Sequence, residues 1–177
     1  MKLWHLFAEI LEYPTPLLFR RVEESISLLV PHHPEAAEEL RRFGAFLDRN
    51  GSPKLEEIFT STFDLQPACY PYVGYHLFGE DYRRGLFMAR LKEHYRTHAF
   101  FPGQELPDHL AVMLRFLAER KGGGQDLELV QEGMIPALER MIAGFLNAQN
   151  PYRGVLQALL HVLNFTSSSG TEGRGGR

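Results

Sequence analysis

The chain has 177 residues, 44% of them apolar and 23% charged, with a formal net charge of −3. This length supports one domain with a substantial core and is too short for two large ones. The acidic balance gives no general drive toward nucleic acid or anionic membranes. A single cysteine, Cys69, excludes an internal disulfide framework and most cysteine-based metal sites, which fits a reducing compartment and makes the cytoplasm the expected location.

The first apolar run begins at Leu3 and is broken by Glu9 and Glu12, too soon for a signal peptide or a membrane span. Leu3, Phe7, Ile10 and Leu11 form one helical face that ends at Tyr13-Pro14. Thr15-Pro16 reads as an N-cap followed by a first-turn proline, opening a helix toward Val30 with Leu18, Val22, Ile26 and Leu29 inside. Pro31-His32-His33-Pro34 is a turn. Pro34 then opens a helix whose Glu35, Glu38 and Glu39 precede Arg41 and Arg42, the polarity that suits a helix dipole. That helix ends at Asn50-Gly51, and Ser52-Pro53 starts another through Leu55, Ile58, Phe59 and Thr62 to Phe63.

The stretch from Leu65 to Tyr75 is irregular, with two prolines and three tyrosines. A long helix is predicted from about Asp81 to His98. After the Pro102-Gly103 turn, another begins at Pro107 and runs to Arg120. Gly122-Gly123-Gly124 breaks the chain and Asp126 can start the next helix, which Pro136 kinks or splits before Asn147. Asn150-Pro151 opens a final helix bearing Val155, Leu156, Leu159, Leu160 and Leu163. Residues 167–177 are Ser/Gly-rich and read as a disordered tail behind an all-α helical domain over 1–166. No alternating strand pattern or internal repeat competes with this reading.

The stretch Gln104-Glu105-Leu106-Pro107-Asp108-His109-Leu110 concentrates chemistry at a helix entrance. Pro107 supplies a φ suited to a first turn, and Asp108 then sits where free backbone N–H groups favour negative charge. Glu105, Asp108 and His109 also resemble an acid–base set, but a helix cap explains Asp108 and no oxyanion hole or cofactor motif accompanies them. Phosphate-loop, nucleophile-elbow and dinucleotide signatures are missing, so no enzyme is expected.

Upstream, Tyr70, Tyr72, Tyr75 and Phe78 form an aromatic cluster that is either core packing or one wall of a peptide groove. Arg83 and Arg84 point in different directions on their helix. One can face solvent while the other pairs with Glu105 or Asp108; the alternative is that both are solvated. His94 and His98, spaced i,i+4, either share a metal or lie on a solvated polar face, and their helix lacks the glutamate of a zinc protease. Cys69 has no neighbour that activates it and reads as a small, partly buried side chain.

Phe63-Asp64-Leu65, Tyr75-His76-Leu77-Phe78-Gly79-Glu80, Tyr82-Arg83-Arg84-Gly85, Leu91 with Tyr95, and Glu105-Leu106-Pro107-Asp108-His109-Leu110 together resemble the NarJ-type nitrate reductase delta subunits, within the TorD-like chaperones for molybdenum enzymes. The resemblance runs in order from Leu3 to about Leu163. It implies an all-helical cytoplasmic chaperone that binds the N-terminal segment of an apo catalytic subunit of a respiratory molybdoenzyme. Such a chaperone holds its client for cofactor insertion before membrane attachment or export. By the same resemblance the client-peptide site comprises Tyr72, Tyr75, Phe78, Arg83, Arg84, Glu105, Leu106, Pro107, Asp108 and His109. No cofactor is held stably; the protein assists insertion of molybdenum bis(molybdopterin guanine dinucleotide) into the client. It is expected to be a monomer or weak homodimer. The place where the broader family carries an aromatic residue ahead of Leu-Phe is Gly74 here, with Tyr75 as the substitute. Two other readings stand beside this one: a small helical metal-binding protein or metalloenzyme using His94 and His98, and a generic helical adaptor.

Overall fold

The computed structural model describes residues 2–120 and 124–172, and among them the chain is helical with no strand. α1 (Lys2–Ile10) buries Trp4, Leu6, Phe7, Ala8 and Ile10. α2 (Leu18–Leu29) buries Leu18, Val22, Ser25 and Leu29. Thr15-Pro16 does not cap it. The Leu18 N–H instead donates to the Thr15 carbonyl at 3.0 Å, so the pair forms a turn ahead of the helix.

α3 (Pro34–Phe59) is two helices joined at Gly51, whose φ of 73° and ψ of 173° suit glycine alone. The break falls where Asn50-Gly51 and Ser52-Pro53 predict one helix to end and another to begin. A π-helical turn, Thr60–Asp64, extends the second part. The irregular stretch that follows contains a 3-10 turn at Pro67–Cys69 and a short helix, α4 (Val73–Phe78).

α5 (Tyr82–Thr97) starts at Asp81, whose carboxylate accepts the Arg83 N–H at 2.9 Å. α6 (Leu110–Glu119) is apolar nearly all round, and seven of its residues from Leu110 to Leu117 are buried. The Gly122 and Gly123 portion of the glycine connector lies outside the described residues. α7 (Gly124–Glu128) leads into a π-helical segment, Leu129–Met134, and then α8 (Ile135–Ala143). Pro136 sits in the first turn of α8, where its missing N–H does no harm, and α8 stops short of Asn147.

α9 (Pro151–Glu172) is capped by Asn150, whose side-chain oxygen accepts the Tyr152 N–H at 3.0 Å. The helix enters the segment expected to be a disordered tail. Ser167 is buried there, and the Thr166, Ser167 and Ser168 hydroxyls donate back to the carbonyls of Val162 and Asn164. Residues 173–177 lie outside the described residues.

α3 lies along α9 and α2, α1 packs on α6 and α2, and α8 joins α9 to α4. Phe7, Phe43, Phe116, Tyr152 and the leucines between them are fully buried, each worth about 1.5–3 kcal/mol of transfer free energy for an aliphatic or phenyl side chain. Among the described residues no helix is long and apolar enough to cross a membrane.

Candidate functional site

Two segments distant in sequence meet at one backbone bridge. The Val73 N–H donates to the Asp108 carbonyl at 2.8 Å, and the Leu110 N–H donates to the Pro71 carbonyl at 2.7 Å. Between these bonds Tyr72 and His109 face each other as an isolated antiparallel pair, with ring centroids 5.3 Å apart. The two sequence motifs therefore form one structure: the start of α4 is tied to the start of α6.

This bridge moves the helix entrance. α6 begins at Leu110, not Pro107, and His109 is its cap, with extended backbone angles of φ −67° and ψ 130°. Pro107 is buried before the helix and its carbonyl accepts the Tyr95 hydroxyl at 2.8 Å. Asp108 is not a first-turn residue because its carbonyl is committed to Val73. The capping acceptor is His109 Nδ1, which takes the Ala111 N–H at 3.2 Å. That bond fixes a neutral ring with the proton on Nε2. Burial is the largest effect on His109 and lowers its pKa, ahead of the opposing pull of Glu105.

Asp108 is 0% exposed and accepts from Arg84 Nε at 2.9 Å through Oδ2. Arg84 also lies over the rings of Tyr72 and Tyr75, 5.4 and 5.8 Å from their centroids. Arg83 takes the other direction. It is exposed, pairs with Asp81 at 3.0 Å, and reaches over Phe78 at 5.9 Å. Gly74 makes the Arg84–Asp108 contact possible. A Cβ at Gly74 would lie 2.7 Å from Asp108 Oδ2, 3.0 Å from Phe87 and 3.2 Å from Arg84. No aromatic side chain fits at Gly74, and neighbouring Tyr75 packs on Tyr70 instead, at 5.5 Å.

A cleft of about 640 Å³ opens beside the bridge. Tyr72, Glu105 and His109 line it together with Glu12 and Tyr13 after α1, Phe59 at the end of α3, and Phe63 and Asp64 of the π-helical turn; Phe63 and Asp64 belong to a motif that carries the resemblance, and Glu12, Tyr13 and Phe59 to none. Tyr13 and Phe63 read as helix ends in sequence, and only the packing of α1 and the π-turn brings them to the cleft. Its rim is aromatic and acidic. Arg115 at its edge is bound to Glu12, and the Tyr13 hydroxyl donates to Glu56 at 3.1 Å. Burial, then Glu105 and Asp108, raise the pKa of Tyr72, in keeping with acids beside its hydroxyl.

The other expected site residues fall elsewhere. Leu106 is exposed beside Glu105, and Tyr75 and Arg84 brace the bridge from behind. Phe78 lines a second cleft of about 570 Å³ with Phe87, Leu91 and Leu129, so the aromatic cluster is divided between two surfaces.

His94 and His98 do not form a free polar face. His94 Nε2 lies 3.1 Å from the buried Asp126, which also accepts from Arg120 at 3.1 Å, and its ring packs on Phe116 at 5.0 Å. His98 Nδ1 bonds the His94 carbonyl at 2.8 Å. Among the described residues, no group of three or more His, Cys, Asp or Glu is placed to hold a metal ion. Cys69 is fully buried, and desolvation pushes its thiol pKa up to about 11.

The family described as nitrate reductase delta subunit matches residues 31–155. The chain is 40% identical over 65 residues to the probable nitrate reductase molybdenum cofactor assembly chaperone NarJ of Bacillus subtilis (strain 168), covering 36% of this chain and 35% of that protein. It is 28% identical over 116 residues to the nitrate reductase molybdenum cofactor assembly chaperone NarJ of Escherichia coli (strain K12), covering 63% of this chain and 49% of that protein. The aligned parts thus span about a third to a half of the length of these relatives. Since the family match takes in most of the sequence and all of the bridge, the chain belongs to the nitrate reductase delta subunit family.

Proposed function

We propose that this protein is a molybdenum cofactor assembly chaperone, not an enzyme, and that its client is the apo catalytic subunit of a nitrate-reductase-type molybdoenzyme. The relatives' names support the chaperone reading. The observation that carries the site is the aromatic and acidic cleft at the Tyr72–His109 bridge. Its occupant is the N-terminal segment of the client, bound as an amphipathic peptide. Apolar client side chains lie on Tyr13, Phe59, Phe63 and Tyr72, while basic ones meet Glu12, Asp64 and Glu105. Aromatic walls supply large contact area at low entropy cost, and the acids at the rim direct approach and register.

In this reading Tyr72, Glu105 and His109 touch the peptide and Leu106 extends the rim. Pro107, Asp108, Arg84 and Tyr75 hold the wall in place. Phe78 and Arg83 lie on the neighbouring surface, where a longer client segment reaches them. The chaperone acts in the cytoplasm as a monomer or weak homodimer. Molybdenum bis(molybdopterin guanine dinucleotide) is cargo for the client, and the acidic cleft does not suit its phosphates. Photo-crosslinking tests this: a benzoylphenylalanine placed at Tyr72 should capture the N-terminal region of the apo catalytic subunit, and one placed at the distant His32 should not. Equal capture from both positions would reject the cleft as the site.

A further inference from the structure

His33 is a buried histidine that the client cleft does not use. It lies in the turn between α2 and α3, 9% exposed, with its N–H donating to the Leu29 carbonyl at 2.7 Å. Its ring packs against the C-terminal half of α9. The Phe165 centroid is 4.8 Å away and the His161 centroid 5.9 Å away, both in edge-on geometry. His33 Nδ1 is buried and has no hydrogen-bond partner among the described residues. His33 precedes Pro34 at the N-terminus of α3 but makes no side-chain cap bond. Its ring is therefore a packing element between two parts of the fold, suited to the neutral state.

The charged and titratable groups around it oppose protonation more than they favour it. His161 on α9 and His32 in the same turn are basic neighbours that oppose a charge on His33. Glu35 on α3 is the acid at hand, but it is exposed and its carboxylate already faces His161 Nδ1 at 3.5 Å. Burial, then His161 and His32, lower the His33 pKa. The family match ends at residue 155, and His161 and Phe165 lie beyond it on α9.

We propose that His33 is an acid-sensitive latch for the C-terminal half of α9: neutral, it seats His161 and Phe165 on the α2–α3 turn; protonated, it releases them. The release lets the His33 charge leave its buried site and reach water. His33 resists protons in the docked state and takes them at the ordinary value of about 6.5 once released. Docking is thus complete above about pH 6.5 and is lost as pH falls below it. The latch is independent of client binding, so either reading can fail without the other.

Amide hydrogen exchange on the full-length protein tests the latch. Protection of the Val162–Ser168 amides, corrected for intrinsic rates and referred to α6, should fall between pH 7.5 and pH 5.5 by up to roughly tenfold, corresponding to about 1.4 kcal/mol. His33→Asn, which removes the titrating group and keeps a polar side chain, should abolish the pH dependence. NMR titration of the wild-type ring provides a second reading should that variant fold poorly. The His33 carbon-bound protons and the Val162–Ser168 amides should shift with one common midpoint below 6.5. A His33 that titrates at the ordinary value without disturbing those amides, or identical pH profiles in wild type and His33→Asn, would overturn the proposal.

Discussion

Arg84 Nε donates to Asp108 Oδ2 at 2.9 Å while the carbonyl of the same aspartate takes the Val73 N–H at 2.8 Å. One residue thereby joins α5 to α4 through its side chain and its backbone. The sequence places Arg84 and Asp108 in separate motifs, and their meeting holds together the bridge from which Tyr72 and His109 line the cleft.

Because Asp108 is fully buried, truncating it leaves Arg84 partly buried without its counter-ion. Asp108→Ala is expected to destabilise the fold by about 3 kcal/mol or more, measured by urea unfolding. The paired replacement Arg84→Met with Asp108→Leu should recover most of the loss. A change below about 1 kcal/mol in the single variant would mean that the pair is effectively solvated.

Gly74 is fixed by contact and Gly51 by conformation. Gly74→Ala drives a methyl group against Asp108 Oδ2 and Phe87, with an expected loss of about 1–3 kcal/mol. Gly51→Ala forces a side chain into a φ of 73°, also at about 1–3 kcal/mol. Thermal or urea denaturation checks both, and Gly85→Ala, at a glycine with open space around it, is the control.

His109 holds α6 by accepting the Ala111 N–H. His109→Ala should remove about 1 kcal/mol of stability, and His109→Asn, whose side-chain oxygen can take the same N–H, should restore most of it. Equal losses in the two variants would show that ring packing on Tyr72, rather than capping, is what His109 contributes.

With its thiol pushed up to about 11 and no access to solvent, Cys69 should not react with a disulfide reagent in the native protein at pH 8. Reaction should appear only at the rate of unfolding in denaturant. Rapid native labelling would show that the 3-10 turn at Pro67–Cys69 opens readily.

The helices were legible where the apolar pattern was long and the punctuation strong. Asn50-Gly51-Ser52-Pro53 marks the break in α3, Asp81 caps α5 and Asn150 caps α9, each for a local backbone reason. α4 was not legible, because Val73–Phe78 is too short to show a period and contains a glycine that only tertiary contact explains. Pro107 misled for a similar reason. A proline suits a first helical turn, but the Tyr95 hydroxyl and the Val73 N–H claim the Pro107 and Asp108 carbonyls and delay α6. The choice of Asp108 over Glu105 as the partner of Arg84 depends on the same bridge. Tyr13 reaches the cleft through packing that no local signal carries, while Phe63-Asp64 stands out in the sequence as a motif whose place at the cleft only the fold shows.

The most direct test of the account is calorimetric titration of the full-length protein with a synthetic N-terminal peptide of the nitrate reductase catalytic subunit from the same organism. Saturable binding near micromolar affinity, about −8 kcal/mol, is expected, weakened roughly tenfold by Tyr72→Ala and by added salt, with the fold intact. Absence of binding, or binding that Tyr72→Ala and Glu105→Gln leave unchanged, would contradict the assignment of the Tyr72–His109 cleft as the client site.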